Sequence, residues 1–380
     1  MRNKSILVLA MVVLFFGSVP SSFGTTASFQ GLGDLPGSIF GSYAYGVSAD
    51  GSVVVGDSYS ASGREAFRWE AGEMAGLGAL PGGVYFESYA HGVSADGSVV
   101  VGYDYSISGY LEGYYEAFRW KAGVMTGLGA LPGGSLFHSM AYDVSADGSV
   151  VVGESCSALG NEAFRWKAGV MTGLGELTSG VHSMGRGVSA DGSVVVGFGG
   201  SSSGFEAFRW EAGVMTGLGD LSGSYFWSEA YDVSADGSVV VGYAESTSGH
   251  EAFRWEGGVM TGLGNPSHGG IGGIWSEAYG VSADGSVVVG KASSALGHEA
   301  FIWDVENGNR SLKDVLVRDY GLDLTGWTLF SARDISDDGL TFVGFGTNPA
   351  GYTEGWVATI PEPATIFLLG LGAVVLRKRR

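Results

Sequence analysis

A single cysteine in 380 residues rules out any disulfide within the chain, and no more than 16% of the residues carry charge. That thiol, Cys156, aligns with Ser293 of a sister repeat, so it reads as a tolerated substitution and not a reactive group. Basic residues are scarce, 20 against 39 acidic ones. Six of the 20 (Arg2, Lys4, Arg377, Lys378, Arg379 and Arg380) lie at the two ends, and without them 14 remain, a formal balance of −25. Such a surface repels nucleic acid and anionic lipid while tolerating cations and neutral glycans. The sequence has no His-Glu-x-x-His and no phosphate-cradling glycine loop. No two of the six histidines have ligand spacing on one element, so neither a metal site nor a cofactor is expected.

Glycine and repetition are what the chain has in abundance. There are 68 glycines, yet 45% of the residues are hydrophobic, which is enough to bury a core. The decapeptide VSADGSVVVG begins at Val47, Val93, Val144, Val188, Val233 and Val281, and a worn copy, ISDDGLTFVG, begins at Ile335. The starts lie 46, 51, 44, 45, 48 and 54 residues apart, a period typical of propellers and solenoids.

Each repeat reads as four short strands. In the second they are predicted at Ala90–Ser94, Ser98–Tyr103, Glu116–Ala122 and Met125–Leu131, bounded by Gly, Pro, Asp and Ser. Ala-Asp-Gly joins the first two as a tight hairpin, so the repeated Asp50, Asp96, Asp147, Asp191, Asp236 and Asp284 are read as turn formers, one carboxylate each and too few oxygens for calcium. The recurring Phe67/Trp69 pair and its sisters are expected in the core, and Arg68 and its sisters in structural contacts. Gly-Leu-Gly strands follow the first five EAFRW segments, and a divergent Ser311–Leu316 strand is expected after the sixth. One extra copy stands early, at Phe29–Gly37, while the last repeat lacks its own. The fold class is therefore all-β, a β-propeller of seven four-stranded blades closed by the N-terminal strand, spanning residues 25–360. Predicted blades run 39–80, 87–131, 137–177, 182–221, 227–265, 275–316 and 328–360, the last completed by 28–36. An open solenoid is the alternative, and it would want capping repeats.

Both ends look like addresses. Arg2 and Lys4 precede the apolar run Ile6–Phe16, so residues 1–24 read as a secretory signal peptide. Pro361-Glu362-Pro363 is followed by the apolar Ala364–Leu376 and a basic end, Arg377 to Arg380. Thirteen apolar residues make about 20 Å of helix, short for a hydrocarbon core of roughly 30 Å. Residues 361–380 resemble the PEP-CTERM signal of Gram-negative bacteria, which implies an exosortase as partner, transient inner-membrane anchoring and delivery to the cell surface or medium. The body resembles the HAF family of extracellular repeats through VSADGSVVVG, EAFRW and Met-Thr-Gly-Leu-Gly. Glu65, Glu116, Glu162, Glu206, Glu251 and Glu299 stand where that family has histidine. The resemblance implies a surface protein of a biofilm-forming or polysaccharide-producing bacterium and brings no catalytic motif.

Functional variation is expected where repeats differ, in the loops entering each first strand and joining second to third, which share one face. The candidate ligand-binding residues are Tyr85, Phe86, His91, His138, Tyr225, Trp227, Glu229, His268, Trp275 and Glu277. Their aromatic rings suit the faces of sugars, and their carboxylates suit hydroxyls. The reading is a non-enzymatic structural or interaction module, with exopolysaccharide or surface proteins as partners. A glycan-active propeller hydrolase using acidic residues of that face is the alternative.

Overall fold

The computed structural model describes residues 26–362 apart from 38, 82–85, 106–114, 178–181, 224, 267–273 and 295–296. The body is almost entirely strand. Among the described residues, 28 strands fall into seven antiparallel groups of four, here blades one to seven. Their first strands are Ser42–Val47, Phe86–Val93, Ser139–Val144, Ser183–Val188, Ser228–Val233, Ile274–Val281 and Thr328–Ile335. Two-residue parallel contacts, Gly63 with Phe86 and Gly249 with Ile274 leading, join blades one to two and five to six.

The decapeptide makes the hairpin at the inner edge of each blade. In blade one, Asp50 Oδ1 accepts from the Ser52 N–H and the Ser48 hydroxyl, while Ser48 Oγ accepts from Val53 N–H. Gly51 sits at φ 73°, where a side chain is strained. Between Ser and Asp the chain exposes one alanine, and those alanines stitch the blades together. Ala49 N–H donates to Ala95 O, Ala95 to Ala146, Ala146 to Ala190, Ala190 to Ala235, Ala235 to Ala283, Ala283 to Asp337, and Asp337 back to Ala49. This cycle of hydrogen bonds closes the ring on itself.

The EAFRW strand supplies the packing between blades. Phe67, Phe118, Phe164, Phe208, Phe253 and Phe301 are fully buried. Each contributes on the order of 1.5–3 kcal/mol of apolar burial. Arg68 Nε donates to Gly97 O of the next hairpin, and Arg119, Arg165, Arg209 and Arg254 repeat that tie. The glutamate before the Ala-Phe pair has a backbone role: Glu65 Oε1 accepts from Gly78 N–H at 3.0 Å, as Glu116, Glu162, Glu206 and Glu251 do from their own Gly-Leu-Gly segments. A Cβ on Gly76 would lie 2.3 Å from that carboxylate oxygen, which explains the first glycine of the triplet.

Two expectations need correction. Fourth strands are shorter than predicted, Val124–Gly127 in blade two, because the chain then turns at Gly129 (φ 77°) so that Leu131 N–H reaches Ser155 Oγ of blade three. In blade six the fourth strand is Gly308–Ser311, and the predicted Ser311–Leu316 strand is instead the helix Leu312–Arg318. Ser311 caps it by accepting from Asp314 N–H, Asp314 and Arg318 complement the dipole, and Leu312, Val315 and Leu316 bury one face at helical spacing.

Ser28–Gly31 pairs antiparallel with Trp356–Thr359 and completes blade seven. Leu32 N–H continues the ladder to Gly355 O. Residues 1–24, read from the sequence as a secretory signal, and most of the tail lie outside the described residues.

Candidate functional site

Each blade sends one side chain from its first strand into the central channel, two residues ahead of the decapeptide's first residue. Tyr45, His91, Tyr142, Arg186, Tyr231, Tyr279 and Arg333 line a cavity of about 350 Å³. Each arginine lies flat against a neighbouring phenol, Arg186 at 4.3 Å from the Tyr142 ring centre and Arg333 at 4.2 Å from that of Tyr279. Burial, reinforced by the charges of Arg186, Arg333 and Arg64, pushes the His91 imidazole down to about 3, so it is neutral. Three polar atoms of these ring residues are buried with no hydrogen-bond partner: His91 Nε2, Arg186 Nε and Arg333 Nε.

One position further along, the blades carry either Gly (46, 92, 187, 280) or Asp (143, 232, 334), and the three aspartates line a further cavity of about 110 Å³. Each aspartate accepts from two backbone N–H groups. Asp143 bonds Val144 and Val188, Asp232 bonds Val233 and Val281, and Asp334 bonds Ile335 and Val47. Burial, then repulsion from Asp232, raises the Asp143 carboxyl to about 8. Burial also raises Asp232 to about 7 and Asp334 well above the carboxylate range.

Towards the mouth the wall becomes acidic in blades five and six. His250 sits between two carboxylates, Nδ1 at 3.1 Å from Glu245 and Nε2 at 3.1 Å from Glu277. Burial opposes its charge, but the two glutamates prevail and hold the imidazole above its ordinary value. Glu277 also accepts from the Tyr279 hydroxyl and is itself held low, so it is ionised.

The candidate residues separate on this frame. Trp227 is 39% exposed, with its indole N–H on Glu229 at 3.0 Å, its backbone N–H on Asp220 at 3.2 Å and its ring 4.8 Å from Phe205. Tyr225 beside it is 77% exposed, whereas Glu229 is buried. Trp275 has neighbours all round: His250 stacks at 5.4 Å, His298 lies at 4.7 Å and Lys291 Nζ at 4.9 Å over the ring. His91 belongs to the channel ring and His138 flanks Tyr115 at 6.2 Å. Phe86 opens the first strand of blade two, and Tyr85 and His268 lie outside the described residues.

Gly200-Ser-Ser-Ser-Gly204 has the spacing of a nucleophile elbow, but it is an exposed hairpin turn with Ser201 N–H on Gly204 O, not a strand-to-helix turn. Sequence reasoning missed Arg186, Arg333 and the tyrosines of the ring. Their signal was present, since the position two before each decapeptide reads Tyr, His, Tyr, Arg, Tyr, Tyr, Arg.

Among solved structures, the chain is similar to an oligogalacturonate lyase from Vibrio parahaemolyticus, with 10% identity over 89% of this chain and 98% of that one and a TM-score of 0.51. The β-propeller domain of the Trilobed protease from Pyrococcus furiosus gives 11% identity, 83% and 95% coverage and a TM-score of 0.49. TolB from Acinetobacter baumannii gives 11%, 70% and 62%, and 0.45, so the chain spans under two thirds of that protein. These likenesses concern the propeller fold alone. No curated protein matches the chain in sequence. Among the described residues no helix is long and apolar enough to cross a membrane. Residues 359–380 match the PEP-CTERM protein-sorting motif, the element recognised by exosortase, and this marks the chain as an exported surface protein.

Proposed function

We propose that this exported propeller is a binding module of the cell surface or extracellular matrix, that it carries out no reaction, and that its variable-loop face holds extracellular polysaccharide. The observation that carries the reading is Trp227. A large aromatic face is left 39% exposed while its indole N–H and backbone N–H are fixed by Glu229 and Asp220, so the ring is oriented before any ligand arrives. Exposed Tyr225 widens the platform. Stacking on such rings needs only the apolar face of a sugar, and little ordering entropy is lost because the ring is already fixed. The sorting motif and the resemblance of the repeats to HAF proteins both suit a matrix role.

The acidic sector supports binding more than hydrolysis. Glycoside hydrolysis needs one carboxyl kept protonated as acid beside another kept ionised. Glu245 and Glu277 instead share one imidazole, and Glu277 is held ionised by it.

A screen of the purified protein against neutral oligosaccharides and exopolysaccharides tests the reading. Binding that weakens at least ten-fold in Trp227→Ala supports it. Equal binding by the variant and the parent would place the platform elsewhere, and no binding to any glycan would refute it.

A further inference from the structure

The channel cavity holds two cations that lie over aromatic rings but are paired with no carboxylate. Arg186 and Arg333 come from blades four and seven and face the same space. Among the described residues neither guanidinium makes an ion pair with a carboxylate. Apart from the aromatic faces it lies over, Arg186 has the Met184 sulfur at 3.7 Å as its hydrogen-bond acceptor, and the Nε of each arginine is buried without a partner. Both arginines are half-buried, and a partly desolvated guanidinium with no carboxylate beside it is stabilised by an anion that completes the site. The nearby glutamates are spent elsewhere: Glu154, Glu229 and Glu277 take the hydroxyl protons of Tyr142, Tyr231 and Tyr279. Those three hydroxyls are therefore engaged, and the two arginines are the charged donors of the cavity wall. Burial first, and the charges of Arg186 and Arg333 after it, keep His91 neutral.

We propose that this cavity binds one carboxylate-bearing sugar, its carboxylate received by Arg186 and Arg333 and its ring lying against the tyrosine wall. This rests on the glycan-binding reading above and adds the substrate class, an acidic sugar. A guanidinium matches a carboxylate with two parallel donors, which a bare point charge does not. A cavity of about 350 Å³ walled by Tyr45, Tyr142, Tyr231 and Tyr279 suits a pyranose ring and would leave a simple oxyanion mostly unsupported.

The test is calorimetry on the purified protein with glucuronate, its methyl ester, inorganic phosphate and a neutral oligosaccharide. Glucuronate is expected to bind at least ten-fold tighter than the ester, a difference of about 1.4 kcal/mol. Arg186→Gln and Arg333→Gln are each expected to abolish that preference and leave neutral-oligosaccharide binding within two-fold. Equal affinity for acid and ester, a preference that survives in both variants, or phosphate binding as tight as glucuronate would overturn the proposal. The ester comparison needs no variant, so it decides the matter even if a glutamine variant fails to fold. Arginine-dependent glucuronate binding with no neutral binding would remove the Trp227 platform and keep this cavity, and the converse result would do the reverse.

Discussion

Glu354 accepts the backbone N–H of Gly33 at 2.9 Å, across 321 positions of chain. It is the same contact that Glu65 makes with Gly78 inside blade one, re-created between the two ends of the propeller. Glu354 is buried and also accepts from the Asn348 side-chain amide at 2.7 Å. Replacing it with alanine strands buried donors at the seam. Glu354→Ala is expected to cost about 1–3 kcal/mol in chemical denaturation. Deleting residues 26–37 is expected to do more, exposing the Thr353–Thr359 edge and causing aggregation. A truncated protein as soluble and stable as the parent would show that the N-terminal strand does not hold the ring.

Much of this was readable before the structure. The decapeptide's Ser-Ala-Asp-Gly-Ser turn and the buried phenylalanines follow from local chemistry, and the extra Phe29–Gly37 strand announced where the ring is fastened. The helix Leu312–Arg318 was hidden because repeat alignment assigned it the role of its sister strands, although Leu312, Val315 and Leu316 carry a helical period. The channel ring was hidden for a different reason. Alternation along a strand separates two faces, but it does not say which face of an innermost strand meets the next blade and which meets the axis. Arg186 and Tyr142 therefore looked like ordinary strand residues until the blades were arranged around a centre.

The channel aspartates set a pH dependence. Asp143 is raised to about 8 and Asp232 to about 7, while an unfolded aspartate titrates near 3.9. Between those values the native state holds protons that the unfolded chain has released, so stability from these groups is full below about pH 4 and falls as pH rises through about 8. Hairpin carboxylates act oppositely: hydrogen bonds from Ser94 and Ser98 hold Asp96 at about 2, so its smaller, solvent-exposed contribution is lost only on strong acidification. The thermal midpoint is expected to decline between pH 5 and pH 8.5, with a shallower decline in Asp143→Asn. A midpoint that rises over this range would contradict protonated channel aspartates.

The two tryptophans of the variable-loop face are expected to behave differently in thermal melts. Trp227→Ala removes a ring that is 39% exposed and should change stability by less than about 1 kcal/mol. Trp275→Ala removes a ring stacked on His250 and capped by Lys291, and should cost more, on the order of 1–3 kcal/mol. Equal losses in the two variants would mean that Trp227 is a packing residue as well.

Sorting is separable from folding, because the last strand ends at Thr359 and the Pro-Glu-Pro motif begins at Pro361. In a host with an exosortase, Glu362→Ala, or neutral residues at Arg377 to Arg380, should leave full-length protein in the membrane fraction. Normal processing and release of both variants would count against exosortase-directed sorting.

Binding without turnover is tested most directly by incubating the purified protein with the producing bacterium's own exopolysaccharide and following both its retention and its chain length by size-exclusion chromatography. The expected result is polymer that co-elutes with the protein, loses that association in Trp227→Ala and keeps its length. Polymer shortened by the parent protein would contradict a binding module and establish a hydrolase or lyase in its place.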